Sequence, residues 1–222
     1  VLVPLYIVVA RLATPGTALL ACASYMVVPS TALITLHTDQ FLFPLLGMIG
    51  VWAGQEAAVR RSLPVAVATG VWIWCTGFFT FPLLLLAPLV AAVMWGTREA
   101  SAARGGELPL RRLLLLMAGV AAGAVLGFML FRWVFAYDAF ARLADARQFN
   151  AVWKGWDGGA FQTLYFAWMN LLEFALWVGL PLVLLAAGRC GRALRQAAAG
   201  EWRGLVAPAL ALAGVVVYVA FF

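Results

Sequence analysis

Three observations predict an all-α, polytopic transmembrane helical bundle. Of the 222 residues, 65% are hydrophobic and only 11% are charged, whereas a soluble domain is about half apolar and about a quarter charged. The apolar residues form long charge-free runs, more than one buried core can use. The basic residues stand between those runs. The net charge of +6 is therefore the excess that membrane proteins carry at their cytoplasmic ends. A nucleic-acid surface would cluster its cations on one polar face, so no nucleic-acid partner is expected.

The runs are read in chain order. Val1 to Ala10 is the tail of a helix, followed by Arg11. The chain begins without Met and ends inside the apolar run Val215 to Phe222, so a piece of a longer protein is expected. No basic region precedes the first apolar stretch, so there is no signal-peptide pattern. Gly16 to about Leu36 is the first full span, interrupted by Pro29, and leads to the polar turn His37-Thr38-Asp39-Gln40. Phe41 to Gln55, containing Pro44, returns to Glu56, Arg60 and Arg61.

The next run, Ser62 to Thr97, is 36 residues. As one helix it would measure about 54 Å, against a hydrocarbon core of about 30 Å. Charge selects a hairpin instead. Arg60 and Arg61 precede the run and Arg98, Arg104, Arg111 and Arg112 follow it. Two short spans put all six on one side, as the positive-inside rule prefers. The turn is placed at Phe78-Phe79-Thr80-Phe81-Pro82, because proline starts a helix well and continues one badly.

Leu113 to Phe131 then goes out, and residues 132–161 form a long outer segment. Gln162 to Ala187 returns to Arg189, Arg192, Arg195 and Arg203, and Gly204 to Phe222 goes out again. The sum is about seven full spans, hairpin included, plus the partial N-terminal helix, in a single transmembrane domain over residues 1–222. Eleven of the fifteen basic residues fall on the cytoplasmic side; the inverted arrangement leaves four there. The cytoplasmic ends thus read as basic and otherwise plain. Gly119, Gly123 and Gly127 stand four residues apart and read as a close helix contact.

The unusual polar residues gather at the outer face. His37 is the only histidine. With Asp39 it makes a polar knot, either an interfacial helix cap or an imidazole and carboxylate facing a pocket, where a divalent metal is an open option. The outer segment carries Asp138, Arg142, Asp145, Arg147, Lys154 and Asp157, interleaved with Tyr137, Phe149, Trp153, Trp156, Tyr165 and Trp168. Its aromatics suit a membrane boundary. Its cations stand where cations are disfavoured, so an anion is expected to compensate them: neighbouring aspartates, lipid headgroups or a phosphate-bearing ligand. Asp138, Arg142 and Asp145 fall at helical spacing, so a local ion-pair network is the plain alternative. Glu173 is the one charge in the Gly158 to Gly188 run, with Asn170 one turn earlier. An intramembrane carboxylate must be paired, protonated or wet. Cys22, Cys75 and Cys190 are far apart and imply neither disulfide nor zinc site.

The order of these features resembles the central and later part of GT-C superfamily integral-membrane glycosyltransferases, in particular the bacterial mannosyltransferase-like proteins that use polyprenyl-phosphate sugars. The residues that carry it are the Pro29 to Gln40 turn, the hairpin with its Phe/Thr/Pro break, and the aromatic outer segment leading into Asn170-Leu171-Leu172-Glu173-Phe174. The resemblance covers most of the chain but is one of layout and short motifs. It implies a bacterial plasma-membrane protein with Asp39 and residues 132–161 on the non-cytoplasmic side. It also implies a polyprenyl-phosphate-linked sugar donor, and a sugar, lipid or protein acceptor. The principal catalytic acid of such enzymes lies in a first outer loop that has no counterpart here, which leaves Asp39 and Glu173 as the acidic candidates. His37 and Asp39 would lie near the donor phosphate or a metal. Arg142, Arg147 and Lys154 would meet the phosphate or the acceptor, and Gln40, Trp156, Asp157 and Asn170 would line the pocket. A transporter or flippase of lipid-linked or small polar substrates, or a non-catalytic membrane subunit, is the alternative.

Overall fold

The computed structural model describes residues 1–27, 38–79, 83–84, 86–106, 108–153, 155, 159–178 and 180–221. Its regular elements there are ten α-helices: α1 (Leu2–Leu12), α2 (Pro15–Val27), α3 (Thr38–Arg60), α4 (Leu63–Phe79), α5 (Leu86–Ala103), α6 (Leu110–Phe135), α7 (Ala139–Trp153), α8 (Ala160–Val178), α9 (Leu180–Ala198) and α10 (Arg203–Phe221). The protein is thus all-helical, as the run pattern predicts.

Helix boundaries follow local chemistry. Pro15 opens α2, and the Thr14 hydroxyl before it accepts the Thr17 amide at 3.2 Å, an N-cap with proline just inside. Three helices end in a paired Schellman bond set. After α3, Ser62 N donates to Ala57 O and Arg61 N to Ala58 O. After α5, Gly106 N donates to Ser101 O and Gly105 N to Ala102 O. After α9, Glu201 N donates to Gln196 O and Gly200 N to Ala197 O. Gly105 and Gly200 take the left-handed position without cost; Arg61 takes it at φ 51°, where a side chain is disfavoured by about 1 kcal/mol or more.

The tightest packing joins α4 and α6. Leu63 meets Gly119, Val67 meets Gly123, Trp74 meets Gly127 and Phe78 stacks on Phe131. This ascending register makes the two helices parallel neighbours. A Cβ built on Gly123 would overlap the Val67 carbonyl, and one on Gly70 would overlap the Val120 carbonyl. Backbone therefore lies on backbone, and the predicted glycine contact is present. Around this pair Val51, Ile73, Val90, Met94, Leu113 and Leu116 form the buried core.

The predicted hairpin is visible in which ends meet. Arg112 Nη2 donates to Arg61 O at 2.6 Å, Arg98 Nε to Leu108 O at 3.1 Å, and Arg104 Nη2 to Arg11 O at 3.1 Å. The ends of α1, α3 and α5 and the starts of α4 and α6 thus share one end of the bundle. A single helix from Ser62 to Thr97 would hold Arg61 and Arg98 about 54 Å apart.

Other elements differ from the predicted spans. Helix α3 continues past Gln55 to Arg60 and runs through Pro44. The outer segment contains a helix of its own, α7. The predicted span Gln162 to Ala187 is divided between α8 and α9, with Pro181 in the first turn of α9, where a missing N–H costs nothing. Among the described residues, two helical segments are long and apolar enough to cross a membrane, Leu42–Arg60 and Leu110–Phe135. Leu2–Leu12, Pro15–Val27, Leu63–Phe79 and Gly204–Val215 are apolar but shorter.

Candidate functional site

Helix α6 carries Arg111 and Arg112 at one end and Arg132 at the other, about 30 Å apart at 1.5 Å per residue. Each end holds a polar cluster.

The end holding Arg132 is the predicted outer face. Ala136 takes a left-handed turn at φ 50°, and Tyr137 N donates to Phe131 O. The chain then enters α7 through Asp138. Its Oδ1 accepts the backbone amides of Phe140 and Ala141, both at 3.1 Å, an N-cap. Its Oδ2 lies 3.6 Å from Arg132 Nη1. The Ala141 amide first, then the Arg132 charge and the Phe140 amide, hold this carboxyl below the usual aspartate range. Arg142 pairs with Asp145 at 3.6 Å, three residues along the same helix. Of the network that helical spacing predicts, the Arg142–Asp145 link forms, whereas Asp138 pairs with Arg132 instead.

Aromatic rings floor this corner. Phe78, at the tip of α4, packs on Tyr137 at 5.0 Å and on Phe131 at 5.1 Å between centroids, and Phe128 packs on Phe140 at 5.7 Å. Burial raises the Tyr137 phenol above its ordinary pKa. The predicted Phe/Thr/Pro break and the predicted outer segment thus touch. Phenylalanine spacing alone could not reveal this, because the partners are more than fifty residues apart.

The remaining predicted site residues are distributed as follows. Asp39 and Gln40 lie in the first turn of α3 by backbone, and their side chains are outside the described residues. His37, Lys154, Trp156 and Asp157 also lie outside the described residues. Arg147 is exposed on α7. Asn170 is half-buried and Glu173 exposed, both on α8. Among the described residues, no ion pair joins the α8 pair to the Asp138 corner. No group of three or more His, Cys, Asp or Glu suited to a metal occurs among the described residues.

The opposite end is less plain than its arginines suggest. Glu56 on α3 is 8% exposed and is clamped by Arg11 from α1 and by Arg60 four residues on. Beside it Gln55 is fully buried, with Nε2 donating to Val8 O at 3.0 Å. Gln55 Oε1 and the Trp52 indole nitrogen on the same helix are buried without a partner among the described residues. Trp95 Nε1 donates to Glu99 at 2.9 Å, while Arg98 lies over the Trp95 ring at 5.3 Å. This cluster ties α1 to α3 and neutralises part of the basic end. The sequence signal for it is Gln55-Glu56 closing an apolar run, with Arg60 one turn later.

Compared with protein-family models, with curated proteins and with solved structures, the chain matches none.

Proposed function

We propose that this chain is an integral-membrane bundle of about seven spans acting as a GT-C-like glycosyltransferase. It would move a sugar from a polyprenyl-phosphate-linked donor to an acceptor at the non-cytoplasmic face. The membrane part is supported by the surface of α6. Gly119, Gly123 and Gly127 are buried against α4, while Leu114, Leu115, Val125, Leu126, Met129 and Leu130 are exposed. A helix that turns small residues inward and large apolar ones outward suits lipid as solvent.

The observation that favours transfer at the Arg132 end is the Asp138 corner. There Arg132, Arg142, Asp138 and Asp145 stand over an aromatic floor, remote from the arginine-rich end. In this reading a carboxylate, Asp39 or Glu173, takes the proton of the acceptor hydroxyl. That oxygen bonds to the anomeric carbon as the bond from carbon to phosphate oxygen breaks. Arg142, Arg147 and Lys154 stabilise the departing polyprenyl phosphate. His37, Gln40, Trp156, Asp157 and Asn170 would complete the pocket, and His37 with Asp39 is the place for a metal.

The test is sugar transfer from a radiolabelled polyprenyl-phosphate hexose in proteoliposomes. Asp39→Ala, Arg147→Ala and Glu173→Ala are expected to lower turnover by at least tenfold, the range of general acid–base and charge stabilisation. Full activity in all three refutes the site. Uptake of substrate without transfer identifies a transporter instead.

A further inference from the structure

We propose that the corner between α9 and α10 is a binding site for an anionic phospholipid. Its headgroup phosphate would sit on Arg189, Arg192 and Arg195, and one acyl chain would lie along the start of α10. Three observations meet there. The arginines recur every third residue along α9, all exposed, and none has a carboxylate within ion-pair distance among the described residues. Arg195 Nε makes only a long bond, 3.4 Å, to its own helix at Gly191 O. Buried Ala193 and Ala197 mark the protein-facing side of α9; Arg192 and Arg195 lie about 100° or more around the helix from both, which leaves their guanidinium groups for an outside anion.

The start of α10, across the turn from these arginines, carries an open apolar groove of about 340 Å³ lined by Trp202, Leu205, Val206, Ala209 and Leu210. The turn from α9 to α10 fixes this proximity. Glu201 N donates to Gln196 O at 2.9 Å, and a Cβ built on Gly204 would stand 3.2 Å from Gln196 Oε1. The groove therefore begins within a turn or two of Arg192 and Arg195. A free phosphate would use the arginines and leave the groove empty, and a nucleic acid would not use an aliphatic slot. A lipid with a net negative headgroup uses both, because a guanidinium fork matches phosphate oxygens and a juxtamembrane basic cluster favours anionic over zwitterionic lipid. Glu201, exposed on the connecting turn, is the nearby carboxylate that would disfavour the anion.

The inference rests on residence in a bilayer, not on transferase chemistry. The test is native mass spectrometry of the detergent-solubilised protein titrated with dioleoyl phosphatidylglycerol or dioleoyl phosphatidylcholine. Phosphatidylglycerol is expected to be retained roughly tenfold more. The triple variant Arg189→Gln/Arg192→Gln/Arg195→Gln should abolish that preference, and Val206→Trp should lower retention of both lipids by filling the groove. Unchanged helicity of the variants shows that they fold. Equal retention of the two lipids, an unchanged preference in the triple variant, or full displacement by inorganic phosphate would each overturn the site. An alkaline wash of membranes separates the two failures. Release of the protein sinks the membrane reading together with this one, whereas retention without a lipid preference sinks the lipid site alone.

Discussion

Glu56 and Asp138 are both carboxylates at helix ends, and their surroundings give them opposite characters. Glu56 is almost buried and needs Arg11, whose guanidinium it shares across two helices. Removing Arg11 would leave this nearly buried carboxylate uncompensated, so Arg11→Ala is expected to cost about 3 kcal/mol. Arg60→Ala should cost only about 0.5 kcal/mol, because that side chain is 65% exposed. Thermal unfolding in detergent, with an Arg11/Glu56 double-mutant cycle, measures both; equal losses from Arg60 and Arg11 variants would refute the clamp. Asp138 is exposed at 51% of its side-chain surface and acts through the first amides of α7. Its folded pKa is depressed, so its contribution is present above the unfolded value, near 3.9, and is lost as pH falls through the folded value. Protection of the Phe140 and Ala141 amides from exchange, relative to their intrinsic rates, should therefore fall in acid. In Asp138→Asn it should lose that pH dependence. At this scale the sequence was half legible. Asp138, Arg142 and Asp145 share local spacing, which a sequence displays. The clamp joins residues 45 apart, which it does not.

Helices α4 and α6 were legible for a different reason. Their contact is written in a four-residue glycine rhythm on one helix of the pair, and its partners Val67 and Gly70 follow from close approach. Gly123→Ala would drive a methyl into the Val67 carbonyl. Since backbone cannot move aside as a side chain can, the variant is expected to lose about 2 to 3 kcal/mol. Gly191→Ala is the control: nothing lies within 4 Å of the added carbon, and helix propensity should make it stabilising by up to about 1 kcal/mol. A Gly123→Ala protein as stable as the parent would mean that α4 and α6 are not backbone neighbours. Ala136, left-handed after α6, should gain about 1 kcal/mol on Ala136→Gly. The hairpin of α4 and α5 was legible from charge, because length and arginine placement both forbid one helix. The division at α8 and α9 was not: residues 162–187 are apolar enough to read as one run, and a single proline, Pro181, occurs both at helix starts and inside membrane helices.

For the whole molecule, the sharpest feature is that chemistry divides between two ends. Arg11, Arg60, Arg61, Arg98, Arg104 and Arg112 meet at one end through contacts that tie five helix termini together. Arg132, Asp138, Arg142 and Asp145 meet at the other. In the proposed membrane arrangement, the positive-inside rule would place the first end in the cytoplasm and the second outside. Single cysteines test this in intact cells with a membrane-impermeant maleimide, after the three native cysteines are replaced by alanine. Arg104→Cys is expected to stay unlabelled until the membrane is broken, and Arg142→Cys to label at once. Both positions are exposed, so silence at either reports sidedness and not burial. Labelling of both in intact cells would reject a bilayer between them. The reverse pattern would keep the bundle and invert it, placing the Asp138 corner in the cytoplasm, where a sugar donor presented at the outer face could not reach it.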